Sequence, residues 1–309
     1  MASSSSSSLK YTLHQYGTDN DLQKVGVWDV DIANKNKYWI IYIHGGAWRD
    51  PRITLETFKP TIDQILLACS SSSSSSPCSS NSSIAAFASL DYRLSPHPSF
   101  PQDPAATPPA RYRGARHPDH VDDARAALAF LQARYDSAAN YVLVGHSAGG
   151  CIGLQMLAGL CSSSSSSSPS PPPSSAPFVF PRALVSFEGI YDFAGIAARL
   201  GPAYAEFLAG AFGEEQGWNG VAPLEYKGSY GERWREGGGG PLVLAWSPDD
   251  ELVDEPEIDA MERRLRRDGV EGLVVLKDLR GNHDEIWESG KEVARLVEVA
   301  LERLRGGGA

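Results

Sequence analysis

The sequence predicts a doubly wound α/β fold: a mostly parallel sheet with helices on both faces and a small lid region, within one domain. Three observations lead there. Short β-branched or aromatic runs alternate with longer helical patterns along most of the chain, which implies parallel strands joined by right-handed crossovers. The pentapeptide Gly145-His146-Ser147-Ala148-Gly149 stands between the apolar run Tyr141-Val142-Leu143-Val144 and a helix-like run from Cys151 to Leu160, so a strand turns sharply into a helix there. A length of 309 residues with 42% hydrophobic content is also enough to bury a large core.

Taken in order, Lys37 to Ile43 reads as a strand, Ile53 to Cys69 as a helix, Ile84 to Tyr92 as a strand and His120 to Ala138 as a helix. The strand Tyr141 to Val144 and the helix after the pentapeptide follow. Ala183 to Phe187 and Pro241 to Trp246 are strands, Glu257 to Asp268 is a helix stopped by Gly269, Leu273 to Leu279 is a strand, and Asp284 to Arg305 is the last helix. The weakly periodic stretch Tyr191 to Gly240, rich in Gly, Trp and Tyr, breaks the alternation and is expected to form a lid. Serine-rich tracts at 1–8, 70–83 and 162–175 have too little apolar area to offset their ordering entropy and are expected to be a disordered tail and disordered loop insertions. Phe100 to Pro118, rich in proline, is expected to be a loop outside the sheet.

The net charge of -10 argues against nucleic-acid or anionic-membrane partners, since phosphate binding needs clustered Lys and Arg. The cysteines Cys69, Cys78, Cys151 and Cys161 have no metal-like spacing and read as reduced structural thiols. Neither a signal-peptide core near Met1 to Lys10 nor a stretch of about 18 apolar residues is present, so the expectation is a soluble, cytoplasmic protein. Its expected partner is a small-molecule substrate. Self-association as a homodimer is left open.

The pentapeptide fits a nucleophile elbow, in which a strained turn holds the Ser147 hydroxyl clear of the backbone and the flanking glycines avoid collisions with neighbouring chain. With 30 glycines and abundant serine, such a pentapeptide is expected by chance about 0.3 times, so it is weak alone. Two further signals strengthen it. Acyl transfer by serine needs a base, an orienting acid and an oxyanion hole. His283 follows the last strand, where this architecture must supply a base. The histidines His14, His97, His117 and His120 read instead as solvated, and His146 as a packing or positioning residue. Asp249 and Asp250 both follow the strand before His283, and the strand exit can present only one of them; Asp250 is favoured. Ser147, Asp250 and His283 then stand in the Ser, Asp, His order. The other signal is His44-Gly45-Gly46-Ala47-Trp48 at a strand exit. The N–H groups of this glycine-rich loop and of Ala148 form the candidate oxyanion hole: Gly45, Gly46, Ala47 and Ala148. Neither a metal nor an organic cofactor is expected.

With these residues in place the chain resembles the α/β-hydrolases, and within them the fungal kynurenine formamidases (arylformamidases), which carry His-Gly-Gly-x-Trp. The matching blocks are His44 to Pro51, Asp91 to Pro96, Gly145 to Gly149, Gly189-Ile190-Tyr191, Asp250-Glu251-Leu252 and Gly281 to Asp284, with Gly290-Lys291. The Asp-Glu-Leu match supports Asp250 over Asp249. The resemblance implies hydrolysis of N-formyl-L-kynurenine to kynurenine and formate on the route from tryptophan toward NAD, with no cofactor. Trp48 and Tyr191 either flank the aromatic substrate or pack under the lid, two alternatives of equal weight. A broad carboxylesterase of the hormone-sensitive-lipase type is the alternative, and an inactive hydrolase fold used as a ligand receptor is a third.

Overall fold

The computed structural model describes residues 9–71, 83–162 and 179–306. The serine-tract expectations fall almost entirely outside these ranges. Eight strands form one sheet: β1 (Lys10–Gln15), β2 (Lys24–Asp29), β3 (Tyr38–Ile43), β4 (Ile84–Leu90), β5 (Tyr141–His146), β6 (Ala183–Phe187), β7 (Leu242–Ala245) and β8 (Leu273–Leu276). Their order is β1-β2-β4-β3-β5-β6-β7-β8. From β4 through β8 every pairing is parallel, whereas β1–β2 and β2–β4 are antiparallel.

Alternation along each strand sends neighbouring side chains to opposite faces. In β3, Trp39, Ile41 and Ile43 join one buried cluster with residues of α2 (Asp119–Arg134), α3 (Ala148–Ala158) and α7 (Glu255–Arg267). Ile40 and Tyr42 join a second cluster with residues of α1 (Lys59–Ser71), α8 (Glu285–Ser289) and α9 (Lys291–Gly306). Helices therefore cover both faces, as expected. No helix among the described residues is long and apolar enough to cross a membrane.

Differences from the sequence reading have local causes. The last helix is two helices, because Gly290 sits at φ +68° with a Cβ position only 2.4 Å from the Pro60 carbonyl carbon. The expected helix Ile53 to Cys69 begins with a 3-10 turn, Leu55–Phe58, before α1. The lid stretch holds α4 (Phe193–Leu200), α5 (Pro202–Phe212) and α6 (Tyr230–Glu236) with short 3-10 turns between them. Nor is His120 solvated: it is 1% exposed and pairs with the Ser95 hydroxyl at 3.1 Å.

Candidate active site

β5 ends at His146, Ser147 takes φ +52° and ψ -118°, and α3 begins at Ala148. Such a backbone in a residue with a side chain costs about 1–3 kcal/mol, and the surroundings enforce it. Ser147 N–H donates to the Phe187 carbonyl at 3.0 Å, which ties the turn to the end of β6. A Cβ at Gly145 would lie 2.4 Å from the Gly149 carbonyl oxygen, and one at Gly149 would lie 2.1 Å from that of Ile43. Backbone therefore packs on backbone at both glycines. As the first residue of a helix, Ala148 has an N–H without an intrahelical acceptor.

The loops after β7 and β8 bring the acid and base candidates together. His283 Nδ1 and Asp250 Oδ2 are 2.9 Å apart, with the two side chains 6% and 0% exposed. Asp250 Oδ1 accepts from the Leu252 and Val253 N–H groups, both at 2.8 Å, which fixes the carboxylate plane. His283 N–H donates to Glu251 at 3.1 Å. Ser247 Oγ donates to the carbonyls of Leu279 and Gly281, pinning one loop to the other. Asp249 is exposed and its carboxylate accepts from Gly281 N–H at 3.3 Å, so it braces the loop while its neighbour faces the imidazole.

The His44–Trp48 loop abuts the elbow. A Cβ at Gly45 would be 2.9 Å from both Ser147 Cβ and His146 Nδ1. Gly46, Ala47 and Trp48 run at φ +87°, +48° and +58°, a strained turn held from below by Tyr92, whose hydroxyl donates to the His44 and Gly45 carbonyls at 3.1 and 3.0 Å. The Tyr92 ring stacks on His44 at 4.5 Å. Asp91 approaches His44 Nε2 at 3.5 Å and accepts from Leu55 N–H at 2.6 Å.

Trp48 and Tyr191 both follow the packing alternative that the sequence left open. Trp48 is 0% exposed, edge-on to Phe193 and Phe212 beneath the lid, so its ring anchors the lid instead of offering a free face. Tyr191 is 1% exposed, with its hydroxyl 2.8 Å from Ser186 Oγ and its N–H donated to Glu257 at 2.6 Å. It braces β6 against α7.

One residue at the site was not singled out from the sequence. Glu188, just past β6, has a fully buried side chain, φ +50°, and its Oε2 is 3.1 Å from His146 Nε2 and 3.7 Å from His283 Nδ1. Burial, reinforced by the charges of Asp250, Glu251 and Asp284, pushes its carboxyl up to about 10. His146 is held well below the usual imidazole range, first by burial and then by His283 and His44. A carboxylate at the C-terminal end of a parallel strand was the available signal. His146, Glu188 and His283 bring ligand-type atoms within 4.8 Å of one another, but Asp250 already occupies the His283 nitrogen, and the trio reads as a hydrogen-bonded cluster and not a ligand set.

This sheet order, elbow and loop placement define an α/β hydrolase. Residues 40–296 match the Alpha/beta hydrolase family, and the chain belongs to it. Solved structures with the same fold include Esterase B from Lactobacillus rhamnosis (TM-score 0.63, 13% identity, covering 97% of this chain and 88% of that one) and carboxyl esterase 2 from Tuber melanosporum (TM-score 0.60, 14% identity, 98% and 88%). Within the family, this hydrolase groups with kynurenine formamidases. It is 30% identical over 275 residues to the kynurenine formamidase-like hydrolase fscH of Fusarium equiseti, covering 87% of this chain and 84% of the relative. It is 32% identical over 286 residues to the kynurenine formamidase avaC of Aspergillus versicolor, covering 84% and 89%.

Proposed function

We propose that this chain hydrolyses N-formyl-L-kynurenine to L-kynurenine and formate, with Ser147 as nucleophile, His283 as base and Asp250 as orienting acid. The observation that carries the reading is the buried 2.9 Å contact between His283 and Asp250, at the strand exits that follow the Ser147 elbow in the chain. In this mechanism His283 Nε2 takes the Ser147 proton as Oγ attacks the formyl carbon, while the N–H groups of the Gly45–Ala47 loop and of Ala148 stabilise the oxyanion. The same histidine then protonates the departing aniline nitrogen, and water, activated by His283, releases formate.

The amino-acid end of this substrate is a zwitterion. A cavity of about 550 Å³ opens beside Arg49, the residue following the oxyanion loop; it is lined also by Phe100, Arg113, Arg116 and Glu206, the last paired with Arg49 at 3.1 Å, and by none of Ser147, Asp250 and His283. Guanidinium groups suit the carboxylate, Glu206 suits the ammonium, and Arg113 Nε is a buried donor without a partner among the described residues. The test compares N-formylkynurenine with p-nitrophenyl acetate and butyrate. The expected order is N-formylkynurenine far above acetate, and acetate above butyrate. Arg113→Leu should raise KM for N-formylkynurenine by about tenfold or more, the worth of a charge-assisted hydrogen bond, and spare the acetate. If kcat/KM rises with acyl length and N-formylkynurenine is untouched, a carboxylesterase reading replaces this one.

A further inference from the structure

We propose that Glu188 is a second acid of this site, a positioning carboxyl that takes the His283 ring N–H when Asp250 cannot. The proposal rests on the reading of Ser147, His283 and Asp250 as the catalytic set. Two adjacent strand exits aim carboxyls at one ring nitrogen: Asp250 after β7 at 2.9 Å and Glu188 after β6 at 3.7 Å. Both side chains are 0% exposed. The Glu188 backbone is anchored through its N–H to the Ala245 carbonyl at 2.9 Å, and its φ of +50° is a conformation in which a residue with a side chain is strained.

Their hydrogen-bond partners differ. Asp250 accepts from two backbone N–H groups and the imidazole, a set that favours the anion. Among the described residues the Glu188 carboxyl has only His146 within hydrogen-bond distance, and its Oε1 has no partner. The charged or titratable groups around it are His146 at the end of β5, Tyr42 on β3, Asp250 and Glu251 after β7, and His283 and Asp284 before α8. Apart from the two imidazoles and the Tyr42 phenol, these are acids. Two buried like charges this close do not both ionise, so Glu188 keeps its proton and donates it to neutral His146 while Asp250 is charged.

Neutralising Asp250 removes the nearest negative charge. Burial and the remaining acids still oppose ionisation, so Glu188 gives up its proton to solvent as pH rises, and a movement of less than 1 Å, from 3.7 Å to the 2.9 Å that Asp250 now holds, then brings its carboxylate onto His283 Nδ1–H. That proton stays on Nδ1, and the imidazolium formed when Nε2 takes the Ser147 proton is again paired with an anion.

The experiment uses the full chain and measures N-formylkynurenine turnover across pH in wild type, D250N, E188Q and the double variant, alongside covalent labelling by a fluorophosphonate. A triad that loses its acid typically loses about 10⁴-fold. Here D250N should lose only about 10–100-fold and recover as pH rises, E188Q alone should cost about threefold, and the double variant should reach the full loss of about 10⁴-fold with no recovery. A double variant equal to D250N at every pH overturns the proposal. Should E188Q fail to fold, the downfield Nδ1–H proton resonance of His283 decides in D250N: its return with rising pH supports Glu188 as acceptor, and its absence throughout overturns it. Loss of fluorophosphonate labelling in wild type, or full activity in S147A, instead overturns the catalytic set itself.

Discussion

The floor of the site and its lid are held in place by different physics. In the floor, backbone sterics dominate: the elbow closes because Gly145 and Gly149 let chain touch chain, and the loop beside it holds three consecutive left-handed residues on the Tyr92 hydroxyl. In the lid, side chains dominate. Trp48 meets Phe193, Phe207 and Phe212, and ion pairs fasten the helices: Arg199 to Asp254 and Glu257, and Glu206 to Arg49. The floor is thus a rigid constellation whose chemistry should be lost all at once, whereas the lid should tolerate graded change. Stability and substrate choice should follow the lid, and turnover the floor.

The sharpest break in that comparison is Ser147→Ala. Removing one oxygen from a residue whose backbone is fixed by its neighbours should leave melting unchanged while turnover falls at least several hundredfold, since members of a catalytic set act as a unit. A variant that unfolds, or one that keeps full activity, would put Ser147 in a structural role and end the distinction.

Trp48→Ala probes the lid. The indole is fully buried, so its truncation should cost about 3–5 kcal/mol of stability, measured by denaturant melts. Turnover of p-nitrophenyl acetate in the surviving folded fraction should drop less than about tenfold, because the loop proposed to supply the oxyanion donors is held by Tyr92 through its His44 and Gly45 carbonyls. A collapse of turnover without loss of stability would move Trp48 from the lid to the floor.

How much was legible in the sequence follows the same division. β6 was read at its observed bounds, and β5 and the elbow were found within two residues at each end, because glycines and β-branched runs act locally. The antiparallel pair β1–β2 was missed: β1 alternates polar and exposed residues along a sheet edge, and its place is set by β2, whose Val25 and Val27 are buried by contacts from distant parts of the chain. At the site, the strand exit and a resemblance favoured Asp250 over Asp249, and Asp250 is the one whose carboxylate lies 2.9 Å from His283 Nδ1. Glu188 was passed over, and the choice for Trp48 and Tyr191 stayed open, for one reason: the burial of a loop side chain depends on what the fold lays over it, and periodicity says nothing of that. His120, read as solvated, stands in the first turn of α2 and is covered by Tyr92 and Phe212.

His120 lies between the two regions, with its ring 6.1 Å from Tyr92 of the floor and 6.4 Å from Phe212 of the lid, and it supplies the smallest of the expected effects. Burial pushes its imidazole down to about 3, with His117 and Arg93 adding to the shift. In the unfolded chain the same ring takes a proton near pH 6.5. Between those values the unfolded state holds one proton more than the native state, so stability rises with pH through this window and is lost as pH falls from about 6.5 toward 3. His120→Gln keeps a polar partner for the Ser95 hydroxyl and removes the titration. Above pH 7 the variant should lie within about 1 kcal/mol of wild type, and at pH 5 it should gain on wild type by on the order of 1–2 kcal/mol, because it lacks up to one proton's worth of slope, about 1.4 kcal/mol per pH unit. Carboxylates titrate in both proteins below pH 5, so the difference between the two stability curves isolates the imidazole. Parallel curves would mean that His120 is protonated in the native state, and that the junction between floor and lid is wetter than its packing shows.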